Sequence, residues 1–140
     1  MFLGEYEHSI DQKGRLAIPA RFRESLQSGL VLARGLDRCI SAYPWDEWKA
    51  LAEKLAALPM THSNVRRLTR TTFSSAFRVD LDAQGRILLP QPLRDYAAIH
   101  DAAVLVGMHR LFEIWSPGLW TAEREAMIDS AWQLAEELEL

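Results

Sequence analysis

The 140-residue sequence predicts an α+β fold, mainly β, in which two tandem β-turn-β-α-β-β units close a pseudo-two-fold barrel. Three observations predict it. The stretch DQKGRLAIPARFR, Asp11 to Arg23, returns as DAQGRILLPQPLR, Asp82 to Arg94. The agreement runs past the motif. Phe2, Tyr6 and Ile10 align with Phe73, Phe77 and Leu81 at an offset of 71 residues, and Gly35, Arg38, Ile40, Tyr43 and Trp48 align with Gly107, Arg110, Phe112, Trp115 and Trp120 at 72. Finally, a four-stranded unit buries too little apolar surface to stand alone, so a sister unit on the same chain supplies what each lacks.

The elements follow in order. Period-2 hydrophobicity around Phe2–Ile10 and Phe73–Leu81 predicts an opening strand in each copy. Gly14 and Gly85 mark a tight turn, where glycine tolerates positive φ. Short apolar strands follow at Arg15–Ile18 and Arg86–Leu89. Pro19 and Pro90 open short helices, because proline fits the first helical turn, and Phe22 with Leu26, or Leu93 with Ala97, faces inward. Leu30–Arg34 and Cys39–Tyr43, then Val104–Gly107 and Leu111–Trp115, read as strand pairs joined by the polar turns GLDR and GMHR. Between the copies, WDEWKALAEKLAAL places Trp48, Leu51, Leu55 and Leu58 at helical spacing until Pro59. A second helix, SNVRRLTRTTF, carries Val65, Leu68 and Thr72 on one face and Arg66, Arg67 and Arg70 off it. Ser116 caps a last helix with Pro117 at its first position, and the stripe Trp120, Met127, Ala131, Leu134, Leu138 is expected to pack. The organisation is a first repeat at 1–48, a helical linker at 49–71, a second repeat at 72–120 and an acidic C-terminal helix at 121–140.

Composition narrows the function. Apolar residues make up 49% and charged residues 25%, both ordinary for a soluble globular chain. No run approaches the roughly 18 apolar residues of a membrane span, and MFLGEYEHSIDQK has no signal-peptide pattern. The expected compartment is the cytoplasm, and the lone Cys39, in an apolar stretch, is expected to be a small core residue. Net charge is −3, yet of 19 acids and 16 bases, six acids and one base fall in 121–140, so the remaining 13 acids and 15 bases leave +2. Thirteen of the bases are arginine, whose planar fork suits phosphates and guanine edges. His8, His62, His100 and His109 are scattered without metal-ligand spacing, and no nucleophile-elbow, P-loop or dinucleotide fingerprint is present. No catalytic residue, metal, cofactor or small-molecule substrate is therefore expected.

The two D-x-x-G-R motifs, their separation and the flanking aromatics resemble the MraZ family of bacterial transcription regulators, from Met1 to about Trp120. The single repeat resembles the wider AbrB-like swapped-hairpin group. This resemblance implies a double-split barrel, a ring of many subunits, and sequence-specific binding to double-stranded DNA, usually as a repressor, upstream of the division and cell-wall gene cluster. A nucleoid-associated location goes with it. It also implies that the DNA-binding surface is carried by Asp11 and Arg15 in the first copy and Asp82 and Arg86 in the second.

Physical reasoning reaches the same residues. Arg15 and Arg86 follow the turn glycine, where a hairpin tip meets its strand. An arginine fork there can hold guanine O6 and N7, discriminating by about 1–3 kcal/mol. Asp11 and Asp82, across the turn, are expected to orient it, because a free carboxylate would repel phosphate. Lys13 at the first tip, where the second has Gln84, is expected to touch phosphate. The rival reading of each Asp–Arg pair is a turn-closing ion pair. Arg21, Arg23 and Arg94 either flank the surface or pair with Glu24 and Asp95. The rival reading of the whole chain is an antitoxin-like interaction module that uses the acidic C-terminal helix.

Overall fold

The computed structural model describes residues 1–140. The first copy supplies β1 (Glu5–Ser9), β2 (Arg15–Ala17), β3 (Leu30–Arg34) and β4 (Ile40–Pro44), and the second supplies β5 (Phe77–Val79), β6 (Arg86–Leu88), β7 (Ala102–Gly107) and β8 (Phe112–Trp115). Six strands form an antiparallel sheet in the order β1-β7-β8-β4-β3-β5, and β2 pairs with β6 in a separate ribbon. Each opening strand therefore lies on the other copy's sheet: β1 pairs with β7 and β5 with β3. Where the halves meet, Ser41 faces Glu113 across β4–β8 and Leu16 faces Ile87 across β2–β6. These residues are equivalent at the repeat's own offsets, so the pseudo-two-fold axis passes through both pairs. The fold is the interleaved, swapped-hairpin α+β barrel that the repeat predicts.

One face of the large sheet and the ribbon enclose the core. Leu30 and Leu32 point into the 19-residue core cluster, whereas Val31 and Ala33 point out to Trp48, the alternation expected of a strand covered on both faces. Both short helices, α1 (Ala20–Arg23) and α4 (Gln91–Ala97), close the core with buried Phe22, and with Leu93 and Ala97. The Phe22 ring lies 5.0 Å from Phe2, 5.5 Å from Tyr6 and 5.2 Å from Phe112, in edge and tilted geometries. On the outer face α2 (Trp45–Ala56) and α3 (Ser63–Ser74) cover one half of the sheet, and the start of α5 (Pro117–Glu137) covers the other. Ser116 Oγ accepts from the Leu119 N–H at 3.2 Å, the expected cap.

Several local expectations are corrected. Phe73 lies in α3, packed 5.6 Å from Trp48, rather than in a strand. The helical run SNVRRLTRTTF simply continues through it, while its counterpart Phe2 bridges to His109 and enters the core. Pro19 and Pro90 stand just before their helices, with ψ of 139° and 137°, and it is Pro92 that occupies the first turn of α4. Gly35 and Gly107 are required by space: a β-carbon would lie 2.6 Å from Cys39 Sγ at the first and 2.5 Å from the Phe2 backbone at the second. Most of the α5 stripe does not pack. Trp120 sits on Trp115 at 5.6 Å, but Met127, Leu134 and Leu138 are exposed, as are Ile128 and Trp132 beside them. The cause is length: 21 residues at about 1.5 Å each carry α5 past the sheet, which it meets mainly along β7.

Candidate nucleic-acid interface

The D-x-x-G-R spacing produces one local structure twice. Asp11 Oδ1 accepts the backbone N–H groups of Lys13 and Arg15, each at 2.9 Å, and Asp11 Oδ2 accepts Arg15 Nε–H at 2.6 Å. In the second copy Asp82 Oδ1 accepts the Gln84 and Arg86 N–H groups at 2.9 Å, and Asp82 Oδ2 accepts Arg86 Nε–H at 2.9 Å. Gly14 and Gly85 have φ of 85° and 75°, so the turn needs glycine. One carboxylate thus does both jobs weighed from the sequence. Its first oxygen closes the turn, and its second holds the guanidinium in one orientation. Only Nε is engaged in Arg15, which leaves its terminal nitrogens without a hydrogen bond.

Strand pairing then brings the tips together. The β2–β6 register sets Arg15 opposite Leu88 and Ala17 opposite Arg86. Ile18 N–H donates to Gly85 O and Leu89 N–H to Gly14 O, both at 2.9 Å. Arg86 Nη1 lies 3.8 Å from Asp11 Oδ2, so the second copy's arginine reaches the first copy's aspartate. Asp11, Arg15, Asp82 and Arg86 therefore share one partly exposed surface, with side chains 28–38% accessible. Lys13 is exposed at its rim, beside a recess lined by Asp11, Gln12 and Arg15.

The electrostatics follow from these bonds. The Arg15 backbone N–H is the largest influence on the Asp11 carboxyl; desolvation opposes it, and the Arg15 guanidinium and the Lys13 N–H add to it, so that the group is held below its ordinary value of 3.8. Asp82 is lowered in the same way by Arg86 and Gln84. Both are anions at neutral pH, and each offsets its neighbouring cation.

The remaining bases sort differently from the sequence reading. Neither Arg23–Glu24 nor Arg94–Asp95 is an ion pair. Arg23 Nε–H donates to Ile18 O at 2.8 Å, and Arg94 Nη2 donates to Gln91 Oε1 at 2.5 Å. Both guanidinium groups lie beneath the tips, a placement visible in the sequence only as their alignment at the motif's own offset. Arg66 is spent on the loop before α3, donating to Met60 O and Thr61 O. That helix lies on the sheet's outer face, away from the ribbon. Cys39 is buried among Val104, Val106 and Trp115, and burial, then the Glu113 charge, pushes its thiol up.

Interleaved repeats and a paired polar tip define a class: a tandem swapped-hairpin barrel presenting one two-fold surface of Asp-held arginines. The family described as "MraZ protein, putative antitoxin-like" matches residues 1–71 and again 72–136. The chain belongs to the MraZ family. It is 51% identical over 138 residues to a protein of Roseiflexus castenholzii named Transcriptional regulator MraZ, covering 99% of this chain and 96% of that one. Proteins of the same name from Thermomicrobium roseum and Desulfitobacterium hafniense are 48% and 51% identical over 138 residues. Each comparison covers 99% of this chain, with 97% and 96% of the relatives. These names describe regulation of transcription and no catalysis. No helix is long and apolar enough to cross a membrane.

Proposed function

We propose that this chain is a sequence-specific, double-stranded DNA-binding regulator of transcription. It binds tandem short repeats as a ring-shaped homo-oligomer on the nucleoid and represses the division and cell-wall gene cluster. The single observation that carries the reading is the convergence of two Asp-held arginines on one surface. Arg15 and Arg86 contact base edges with their terminal nitrogens, Asp11 and Asp82 fix them and accept from cytosine N4 where it is presented, and Lys13 grips phosphate. Asp beside Arg argues for base contact over charge attraction, because the pair carries little net charge to draw a polyanion.

Affinity requires several subunits. A subunit that neutralises about two phosphates has a salt slope near −2. Several subunits on closely spaced repeats multiply this through effective concentration. The test is selection of a duplex from a random library, followed by binding to one repeat and to a tandem array. The array should bind far more tightly, and Arg15→Ala and Arg86→Ala should each lose about 1–3 kcal/mol of discrimination. Equal affinity for a single repeat sinks the multivalent reading; retained discrimination in both variants sinks the site.

A second reading has one observation in its favour. Beyond Trp120, α5 exposes Ile128 and Trp132 among Glu125, Asp129 and Glu136, an amphipathic surface that suits a protein partner in an antitoxin-like role. Truncation before Thr121 separates the two: it leaves duplex binding intact under the first reading and removes function under the second.

A further inference from the structure

The turns are held from the opposite copy. A β-carbon built on Gly85 would lie 2.5 Å from both Nε and Cζ of Arg23, and one built on Gly14 would lie 3.1 Å from Cζ of Arg94. Arg23 belongs to the first copy and Gly85 to the second; Arg94 and Gly14 reverse this. Each guanidinium thus lies against the bare backbone of the other copy's turn. The link is closed on the Arg23 side, where Nε–H donates to Ile18 O while Ile18 N–H donates to Gly85 O. On the other side Leu89 N–H donates to Gly14 O, but Arg94 Nε is buried with no partner and the guanidinium is held through Gln91. Positive φ explains glycine at these positions, but not why an arginine fills the space a side chain would take.

We propose that Arg23 and Arg94 are cross-copy positioning residues: each guanidinium seats the opposite turn, so that neither Asp–Arg pair is set by its own copy alone. The proposal rests on the DNA-binding reading for its purpose and on geometry for its content. Arg23 seats the turn of Asp82 and Arg86, and Arg94 seats that of Asp11 and Arg15. The buried, unpartnered Nε makes the Arg94 seat the looser of the two.

The experiment has one arm without DNA and one with it. Nitrogen-15 spectra of the arginine Nε–H groups report each pair. Arg23→Met should shift or broaden the Arg86 signal and leave Arg15 in place, and Arg94→Met should do the reverse. Thermal midpoints add a coupling test: Gly85→Ala should cost less in the Arg23→Met background than in the parent, since the colliding group is gone. Arg23→Lys replaces Arg23→Met if the latter folds poorly. With the selected duplex, either methionine variant should lose about tenfold in preference over a scrambled duplex with an unchanged salt slope, because positioning and not a phosphate contact is lost. Effects on the same-copy signal, additive Gly85 and Arg23 costs, or a salt slope reduced by about one would overturn the proposal. If the parent binds no duplex while the crossed spectral effects appear, the DNA reading fails and the cross-copy seating stands.

Discussion

At the scale of single residues, the aspartates separate turn closure from orientation. Asn at position 11 or 82 keeps an oxygen for the two backbone N–H groups but loses the charge that draws the arginine Nε–H. Asp11→Asn and Asp82→Asn should therefore keep the turn, leave the thermal midpoint within a few degrees of the parent, and lower discrimination between duplexes. Asp11→Ala should lower both. Parent-level discrimination retained in Asp11→Asn and lost only in Asp11→Ala would reduce the pair to turn chemistry. The pH dependence has a definite sign. Because both carboxyls are held below 3.8 in the folded chain, their contribution is fully present above that value and is lost as pH falls through the lower folded values. Carbon-13 titration of Asp11 and Asp82 should give midpoints below 3.8, with the Asp–Arg bonds unchanged from pH 8 to pH 5. A midpoint at or above the ordinary value would contradict the hydrogen-bond geometry.

At the scale of elements, α5 is two things in one helix. Its first turn is structural: Ser116 caps it, Trp120 is 7% exposed against Trp115, and Trp120 Nε1–H donates to Glu5 Oε2 at 3.2 Å. From Thr121 onward its only ion pair to the barrel is Arg124 with Glu5 at 3.3 Å, an exposed contact of about 0–1 kcal/mol. Trp120→Ala should therefore cost about 3–5 kcal/mol, while truncation before Thr121 costs less than that. Urea unfolding of the two variants checks the order, and a truncation as damaging as Trp120→Ala would show that the distal helix packs. The sequence disclosed this helix, its cap and its stripe, but not where the stripe stops being covered. Periodicity reports that a face is apolar; the width of the sheet beneath decides how much of that face finds a partner. Phe73 has the same lesson. Alignment with Phe2 placed it in a strand, but the α3 helix runs through it, and its ring rests edge-on against Trp48 of α2 while staying exposed.

At the scale of the whole molecule, the repeat was legible because it is written in full, and the Asp–Arg site because glycine spacing dictates the turn. What the sequence did not disclose is which copy supports which tip, since Arg23 and Gly85 lie far apart in the chain and meet only through the β2–β6 pairing. That crossing has a consequence for folding. Residues 1–71 alone would leave β1 without β7, β2 without β6 and β3 without β5. The core cluster draws Phe22 and Leu16 from one half and Ile87 and Phe112 from the other, so a monomeric half would expose the residues that make it a domain. The half-chain should therefore be unfolded or should dimerise, with a second copy supplying the missing strands. Co-expression of 1–71 with 72–140 should restore one barrel of a single mass that unfolds in one transition. Light scattering and circular dichroism read both outcomes. A folded monomeric half, or two separate transitions in the intact chain, would mean that the strands are not interleaved as described. The two tips would then be independent sites, with no shared surface for Arg15 and Arg86 to present to a single stretch of duplex.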